Sequence, residues 1–334
     1  MADRAVLEEV YMISVVVATY NGEKYLLQML QSIQAQTTKA DEVIIADDAS
    51  CDQTVVLAEE FIRVNALSDY WRVIHRNKNL GLQTNFLYAI AETKGDLVFL
   101  ADQDDVWLEK KITVMSREMA EHRELWMLAC RYDLIDGEGK AYNGKKRVSH
   151  IDYSSKSRLA YLSKSELIIS SFIRGCSMCI RGEIRRYIDQ NFDSGSLLGH
   201  DWYLSLLATI HGKAAFLNQK LMHYRIHDSN VSVKNKPFNI KDNRMLRVKE
   251  LYEVVCIIKA VLESDSKSVE QSEAFAVFLK QRLQFFEKAT IGRTLKLLGK
   301  IRYYRIYRHS RKGSWETYIA DVIYAWKRKF TRDV

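Results

Sequence analysis

Residues 97–107 read LVFLADQDDVW. Leu97 to Leu100 are apolar without a break and run straight into Asp102, Asp104 and Asp105. A short apolar run with a polar exit predicts a strand buried on both faces. Three carboxylates at that exit cannot be core, because burying unpaired charge is very costly. They must meet water, a base or a metal. In an open α/β sheet, the carboxyl end of a central strand is where ligands bind. Oxygen ligands there suit Mg²⁺ or Mn²⁺, and such an ion commonly brings a phosphate. The rival reading is a solvated turn, since Asp is frequent in turns.

The segments before this strand bear on that choice. Ile13 to Ala18 (ISVVVA) predicts a buried strand, followed by the turn Thr19-Tyr20-Asn21-Gly22. Glu23 to Gln36 carries Tyr25, Leu26, Met29, Leu30 and Ile33 at helical spacing. Glu42 to Ala46 predicts a second strand, ending in Asp47-Asp48, and a helix follows over Thr54 to Val64. Arg72 to Ile74 predicts a third strand, and Leu82 to Glu92 a helix that leads into the fourth. Strands alternating with helices argue for right-handed βαβ units and a mostly parallel sheet. The polar turns after the first, second and fourth strands then lie on one sheet edge, which makes a pocket more economical than three unrelated loops. No GxGxxG follows the first strand and no GxxxxGK[ST] occurs, which argues against a dinucleotide site and a Walker-type ATPase.

Composition narrows the class. Of 334 residues, 47% are hydrophobic and 28% charged, as expected of a globular protein that is not integral to a membrane. Five cysteines show no disulfide framework, and the N-terminus shows no signal-peptide pattern, so the expected setting is cytoplasmic. Net charge is +8, and from Phe285 onward thirteen Lys/Arg stand against four acids. That asymmetry predicts an anionic partner surface.

The fragments SVVVATYNG, EVIIADDASCDQT, NKNLG with Asn85, and KGDLVFLADQDDVW occur in this order. Together they resemble glycosyltransferase family 2, over roughly residues 11–233. LADQDDVW, with the later HDW and YRIH, is most similar to the bacterial rhamnosyltransferase-type members. The resemblance implies a GT-A fold: a Rossmann-like nucleotide-binding half over 1–107 and an acceptor-binding half over 108–235. The segment 236–334 is then a helical, basic extension. It also implies a nucleotide-sugar donor, dTDP-rhamnose or another dTDP- or UDP-sugar, with Mn²⁺ or Mg²⁺. Ala18, Thr19, Tyr20 and Asn21 match the loop that holds the nucleoside, and Asp48 the acid that accepts from the pyrimidine N3–H. Asn79, Gly81, Asn85, Asp102 and Gln103 fall in the matching donor-site segments. The metal set is Asp104, Asp105 and His227, with the choice between the two aspartates open. Gly175 and Cys176 match the donor-sugar pocket, Trp202 is a further candidate for donor binding, and Arg225 is the candidate diphosphate partner.

Asp201, in Gly199-His200-Asp201-Trp202, matches the family's catalytic carboxylate, although an Asp at a helix start also serves as a simple cap. Inverting transfer needs one general base beside the acceptor hydroxyl. The CxxC of Cys176 and Cys179 has no second pair at zinc spacing and reads as buried thiols. Asp133 and Asp136 read as turn formers after a strand over Trp126–Cys130, and Tyr142–Ser157 as a mobile loop. Lys213–Leu217 and Leu221–Ile226 read as two strands returning to the sheet.

Beyond Pro237 the pattern is helical, over Met245–Leu262, Ala274–Phe286 and Ile291–Tyr307. Trp315, Tyr318, Ile319, Val322, Ile323 and Trp326 form a stripe closed by Lys327-Arg328-Lys329. The stripe fits an interfacial helix on an anionic membrane, where a lipid-linked glycan acceptor would reside at the inner face of the plasma membrane. It fits equally a helix packed on the catalytic domain or on a second subunit of a homodimer. Two rivals to a transferase are a sugar-1-phosphate nucleotidyltransferase, which would want a Gly-rich basic loop after the first strand, and a silent scaffold of the same fold. No nucleic-acid-binding module is recognisable, so nucleic acid is not an expected partner.

Overall fold

A computed structural model describes residues 11–142, 157–168, 173–189, 198–227, 244–263, 265–301, 303–304 and 318–326. Apart from its ends, the loop expected over Tyr142–Ser157 lies outside these residues, as do Pro237, Trp315 and Lys327–Lys329.

The strands β1 (Ile13–Thr19), β2 (Glu42–Asp47), β3 (Trp71–His75) and β4 (Leu97–Asp102) pair in parallel in the order β3-β2-β1-β4. Helices α1 (Leu26–Gln34), α2 (Thr54–Val64) and α3 (Leu82–Ala91) are the crossovers. Alternation splits the core in two. Val15, Val17, Val43, Ile45 and Phe99 face α1 and α2, while Val16, Ile44, Val98 and Leu100 face α3. With both faces covered, every residue of β1 and β2 is buried, the middles of β1, β2 and β4 are apolar at consecutive positions, and the polar residues toward the strand ends are paired, as where Ser14 Oγ donates to Glu42 at 2.6 Å. The continuous runs in the sequence have this cause.

Beyond β4 the sheet becomes mixed. It continues through β5 (Val106–Trp107), α4 (Lys111–Glu121), β6 (Leu125–Ile135), β7 (Leu159–Tyr161), α5 (Lys164–Leu167), β8 (Met178–Arg181), α6 (His200–His211) and β9 (Lys213–Arg225). Among the described residues the sheet has nine strands. β8 lies antiparallel between β4 and β6, and β9 runs parallel to β6.

Two local expectations are corrected here. Tyr132–Ile135 is strand rather than turn, because β6 continues against β9 as far as Ile135↔Arg225. Asp133 points out of this strand and pairs with Lys220 at 2.5 Å, whereas Asp136 does form the turn, accepting from the amides of Glu138 and Lys140. β9 is one strand, not two. The polar Asn218-Gln219-Lys220 is absorbed at an irregular register between Cys130↔Leu217 and Tyr132↔Met222, and Asn218 is held by Arg131.

After β9 come α7 (Arg244–Val261), α8 (Ser266–Glu287) and α9 (Ile291–Leu298), and residues 318–326 are also helical. Val254, Ile258 and Leu262 join the core on the α3 and α6 side, so α7 is fastened to the sheet domain. A separate cluster of Phe275, Phe278, Leu279, Phe285, Phe286, Tyr304 and Tyr318 binds the helices to one another. Inside it Asp321 is fully buried and accepts from Arg244, Arg282 and Tyr304. The stripe read from the sequence is therefore divided. Tyr318 and Ala325 are buried and Val322 packs on the cluster, whereas Ile319 and Ile323 are 51% and 61% exposed. No described helix is long and apolar enough to cross a membrane.

Candidate active site

In register Ala18 sits between Ala46 and Asp102, and Thr19 beside Asp47. The three polar turns therefore meet at the carboxyl edge, as the sequence implied.

The turn after β2 is tied into the scaffold. Asp47 is fully buried and accepts from Thr19 Oγ1 at 2.8 Å, the Ser50 amide at 2.8 Å, Ser50 Oγ and His75 Nδ1 at 2.9 Å. Asp48 is 2% exposed, and its two oxygens accept from the amides of Leu80 at 2.7 Å and Gly81 at 2.8 Å. Gly81 has φ 86°, where a side chain is unfavourable, and Asn79 Oδ1 also accepts from its amide at 3.0 Å. Asn21, at φ 47°, donates its amide N–H to Ser50 Oγ and accepts at Oδ1 from the Cys51 amide. Gln103 closes the other side. Its Oε1 accepts from the Tyr20 amide at 2.8 Å and its Nε2 donates to the Tyr20 carbonyl at 3.1 Å. Ala18 and Thr19 are buried, so Tyr20, 46% exposed, and Asn21, also exposed, are the members of that loop with a surface to offer.

The turn after β4 is built differently. Asp102, Asp105 and Cys176 bring one ligand atom each within 4.8 Å of one another. Burial and the neighbouring Asp104 charge push the Asp102 carboxyl up to about 7. The same two causes drive Asp105 well above the usual carboxylate range, and burial does likewise to the Cys176 thiol. Burial keeps the thiol protonated beside the two carboxyls. Asp105 is 1% exposed; its Oδ1 accepts from the Arg225 amide at 3.0 Å, and its Oδ2 has no nitrogen or oxygen donor. Asp104 is the outward member: its Oδ2 lies 2.7 Å from His227 Nε2, and the two side chains are 14% and 16% exposed. A carboxylate and an imidazole at a partly open position fit Mn²⁺ or Mg²⁺, and Asp102, Asp105 and Cys176 form a second group close enough together to hold an ion. Asp105 belongs to the more buried of these two groups and Asp104 to the more open one.

Arg225 is a clasp. It is 1% exposed; Nε donates to the Asp104 carbonyl at 2.7 Å, Nη1 to the Asp136 carbonyl at 3.1 Å and Nη2 to Gln28 Oε1. Its guanidinium lies 4.7 Å over the Tyr25 ring. The diphosphate role expected for it does not match a guanidinium engaged on every nitrogen. Asn85 is similarly corrected: it is 1% exposed, donates to the Ala46 carbonyl and accepts from Arg76 Nε, so it anchors α3 to the end of β2. Gly175 does not clear space for a ligand. A Cβ there would stand 2.3 Å from His200 Nε2, so the glycine makes room for that ring. His200 is stacked on Phe86 at 4.3 Å and held neutral by burial.

Asp201 lies in the first turn of α6, where the helix dipole favours a carboxylate, and its Oδ1 accepts from the Trp202 amide at 2.7 Å. Its charge acts on Asp102, as do those of Asp104 and Arg174, which places the four within electrostatic reach. Trp202 Nε1 donates to the Leu167 carbonyl and orients the start of the helix.

Arg174 was missed by sequence reasoning. Its guanidinium bonds to the hydroxyls of Tyr132 and Tyr224 and stacks over Tyr224 at 4.4 Å, the one cation in a segment otherwise apolar or small. Lys111 was missed as well. It is fully buried, donates to the Cys176 carbonyl at 2.8 Å and lies 3.9 Å over the Trp107 ring. A cavity lined by Arg117, Glu118, His122, Arg158 and Tyr161 contains none of these residues.

Comparison with known proteins agrees with this fold. The dTDP-rhamnosyl transferase RfbG of Shigella flexneri is 26% identical over 68% of this chain and 77% of its own length. A Mycobacterium tuberculosis protein is 27% identical over 64% of this chain and 58% of its own. The chain thus spans less than two thirds of the length of several curated relatives that it matches. Among solved structures, Staphylococcus aureus TarS 1–349 in complex with UDP-GlcNAc matches with TM-score 0.60 at 16% identity, over 96% of this chain and 91% of that one. The mannosyltransferase PcManGT of Pyrobaculum calidifontis, in complex with GDP-Man and Mn²⁺, matches with TM-score 0.54 at 15% identity, over 96% and 87%. At these identities the structures establish the fold alone. Residues 14–188 match the profile described as Glycosyl transferase family 2, and the chain belongs to that family.

Proposed function

We propose that this chain is a metal-dependent, inverting glycosyltransferase that moves a sugar from a nucleoside-diphosphate sugar to a hydroxyl of a glycan acceptor. The observation that carries the reading is the Asp104–His227 contact at 2.7 Å, in electrostatic reach of Asp102 and Asp201 on one sheet edge. Asp104 and His227 would hold Mn²⁺ or Mg²⁺, whose charge supports the departing diphosphate. Tyr20 offers its exposed ring at the nucleoside loop, held in place by Gln103. Asp48 contributes through the Leu80-Gly81 loop that it pins, and through whatever lone pairs of its oxygens face a base. Arg174, between the two tyrosine hydroxyls, sets positive charge beside Asp102.

Asp201 is the general base. It removes the proton from the acceptor hydroxyl while that oxygen attacks the anomeric carbon in line, so one displacement inverts the centre. The double displacement of a retaining enzyme would need a further carboxylate as nucleophile. A dTDP-rhamnose donor is supported by LADQDDVW, HDW and YRIH and by the RfbG relative; a UDP-sugar is supported by TarS.

Asp201→Asn tests the assignment. Transfer should fall by roughly 10²–10⁴-fold, the usual scale of general-base catalysis, with donor affinity within about two-fold of the parent. A large loss of donor affinity would overturn the base. Thermal shift with dTDP- and UDP-sugars in the presence of Mn²⁺ separates the two donor classes.

A further inference from the structure

Two helices beyond the sheet domain carry an outward face that the core does not use. On α9, Ile291 is 71% and Leu295 60% exposed, one helical turn apart. On the helix at 318–326, Ile319 is 51% and Ile323 61% exposed, again one turn apart. Among the described residues, three of the four most exposed large hydrophobics lie in these two helices. The helices are in contact: Tyr318 Oη donates to the Thr294 carbonyl at 3.0 Å. Both exposed pairs thus lie on helices that touch, while Leu297, Tyr318 and Ala325 turn inward to the helical core. Scattered exposed apolar residues are ordinary, but two i, i+4 pairs on adjoining helices are not.

Charge decides what covers them. Around α9, Lys288 and Lys296 are exposed and Arg293 and Lys300 half-buried, whereas the acids among the described residues from Phe285 onward are Glu287 and Asp321. One of those acids, Asp321, is fully buried and bound to Arg244 and Arg282, so it subtracts nothing from the surface charge. A second copy of this chain would press like charge against like. A layer of anionic headgroups over hydrocarbon satisfies both components, with aliphatic side chains entering the acyl boundary and lysines and arginines meeting phosphate.

We infer that Ile291, Leu295, Ile319 and Ile323 form a docking face that seats the chain on an anionic lipid bilayer. The inference does not rest on the proposed reaction, since binding to lipid requires neither donor nor acceptor.

Flotation with vesicles of phosphatidylglycerol and phosphatidylcholine, against phosphatidylcholine alone, is the test. The parent chain should float with the anionic vesicles and fall by more than ten-fold in bound fraction on neutral ones or in high salt. The variant carrying Ile291→Ser, Leu295→Ser, Ile319→Ser and Ile323→Ser should lose more than ten-fold of its anionic-vesicle binding, with its thermal transition retained. A second variant, Ile291→Trp, should bind more tightly and show blue-shifted emission on anionic vesicles. Unchanged vesicle binding by the serine variant overturns the inference. So does conversion of an oligomer to a monomer with vesicle binding intact, which makes the face a self-interface. Binding to a DNA duplex that survives the four serines while vesicle binding is absent in the parent would assign the basic segment to nucleic acid instead.

Discussion

Strands β2 and β4 both end in consecutive or near-consecutive aspartates at the same sheet edge, yet the two turns are opposite in construction. Asp47 and Asp48 together accept from six donors: Thr19, Ser50 twice, His75, Leu80 and Gly81. Their charge is matched by groups of the chain itself. Asp102, Asp104 and Asp105 instead crowd one another. The Asp102 carboxyl is pushed up to about 7, and Asp105 leaves Oδ2 without a nitrogen or oxygen donor. One acidic turn fastens loops; the other gathers carboxyls that burial and mutual charge hold toward the protonated form and that a cation would let ionise. Clustered Asp in a sequence reports neither condition, because the donors that separate them come from residues far away in the chain.

The comparison breaks most visibly at Asp104. Asp104→Ala should reduce transfer by on the order of 10²–10³-fold, the scale of a lost electrostatic contact to developing charge. It should also abolish any Mn²⁺-dependent rise in melting temperature on adding donor, while the unliganded chain melts within a few degrees of the parent. A parent-like metal response in this variant would remove Asp104 and His227 as the ion's holders.

At Asp47 the same substitution should act on folding. Asp47→Ala strands the buried Thr19 hydroxyl and unpairs the half-buried Ser50, while exposed His75 turns to water, and each buried unsatisfied group costs about 1–3 kcal/mol. A loss of roughly 3 kcal/mol is expected, read as a lower urea midpoint at unchanged slope. If Asp47→Ala is neutral and Asp104→Ala unfolds the chain, the contrast is reversed.

The half of the fold that the sequence shows plainly is the half whose residues answer to local rules. Val15 to Val17 and Leu97 to Leu100 are apolar at every position because helices cover both faces, and the β–α alternation follows from it. The sites that resisted reading depend on partners distant in sequence. Tyr132 to Ile135 looks like a turn until Met222 to Arg225 is alongside it. Arg225 looks like a phosphate ligand until the carbonyls of Asp104 and Asp136 enclose it. Gly175 looks like a gap for a sugar until His200 fills the space. In the C-terminal helices, one periodic stripe had to serve two environments, and helical period alone does not say where the core ends and the surface begins.

The smallest expected effect lies at Asp265, which isolates the hydrogen bonding of Asp47 from its burial. Asp265 caps α8, accepting from the Ser268 amide at 3.2 Å and Ser268 Oγ at 2.9 Å, and pairs with Lys164 at 2.5 Å on a surface more than a quarter exposed for both side chains. The bond from Lys164, then those from Ser268, lower its carboxyl to about 2. A carboxyl lowered in the folded chain stabilises above its unfolded value near 3.8 and loses that contribution as pH falls toward about 2. Asp265→Ala should therefore cost about 1 kcal/mol at neutral pH, the ordinary worth of a cap, because water competes for an exposed ion pair. The gap between parent and variant, followed by urea unfolding, should be constant from pH 7 to about 4.5 and narrow below it. Transfer activity should not change. A cost as large as that at Asp47 would show that bond count, and not burial, separates the two kinds of acidic turn.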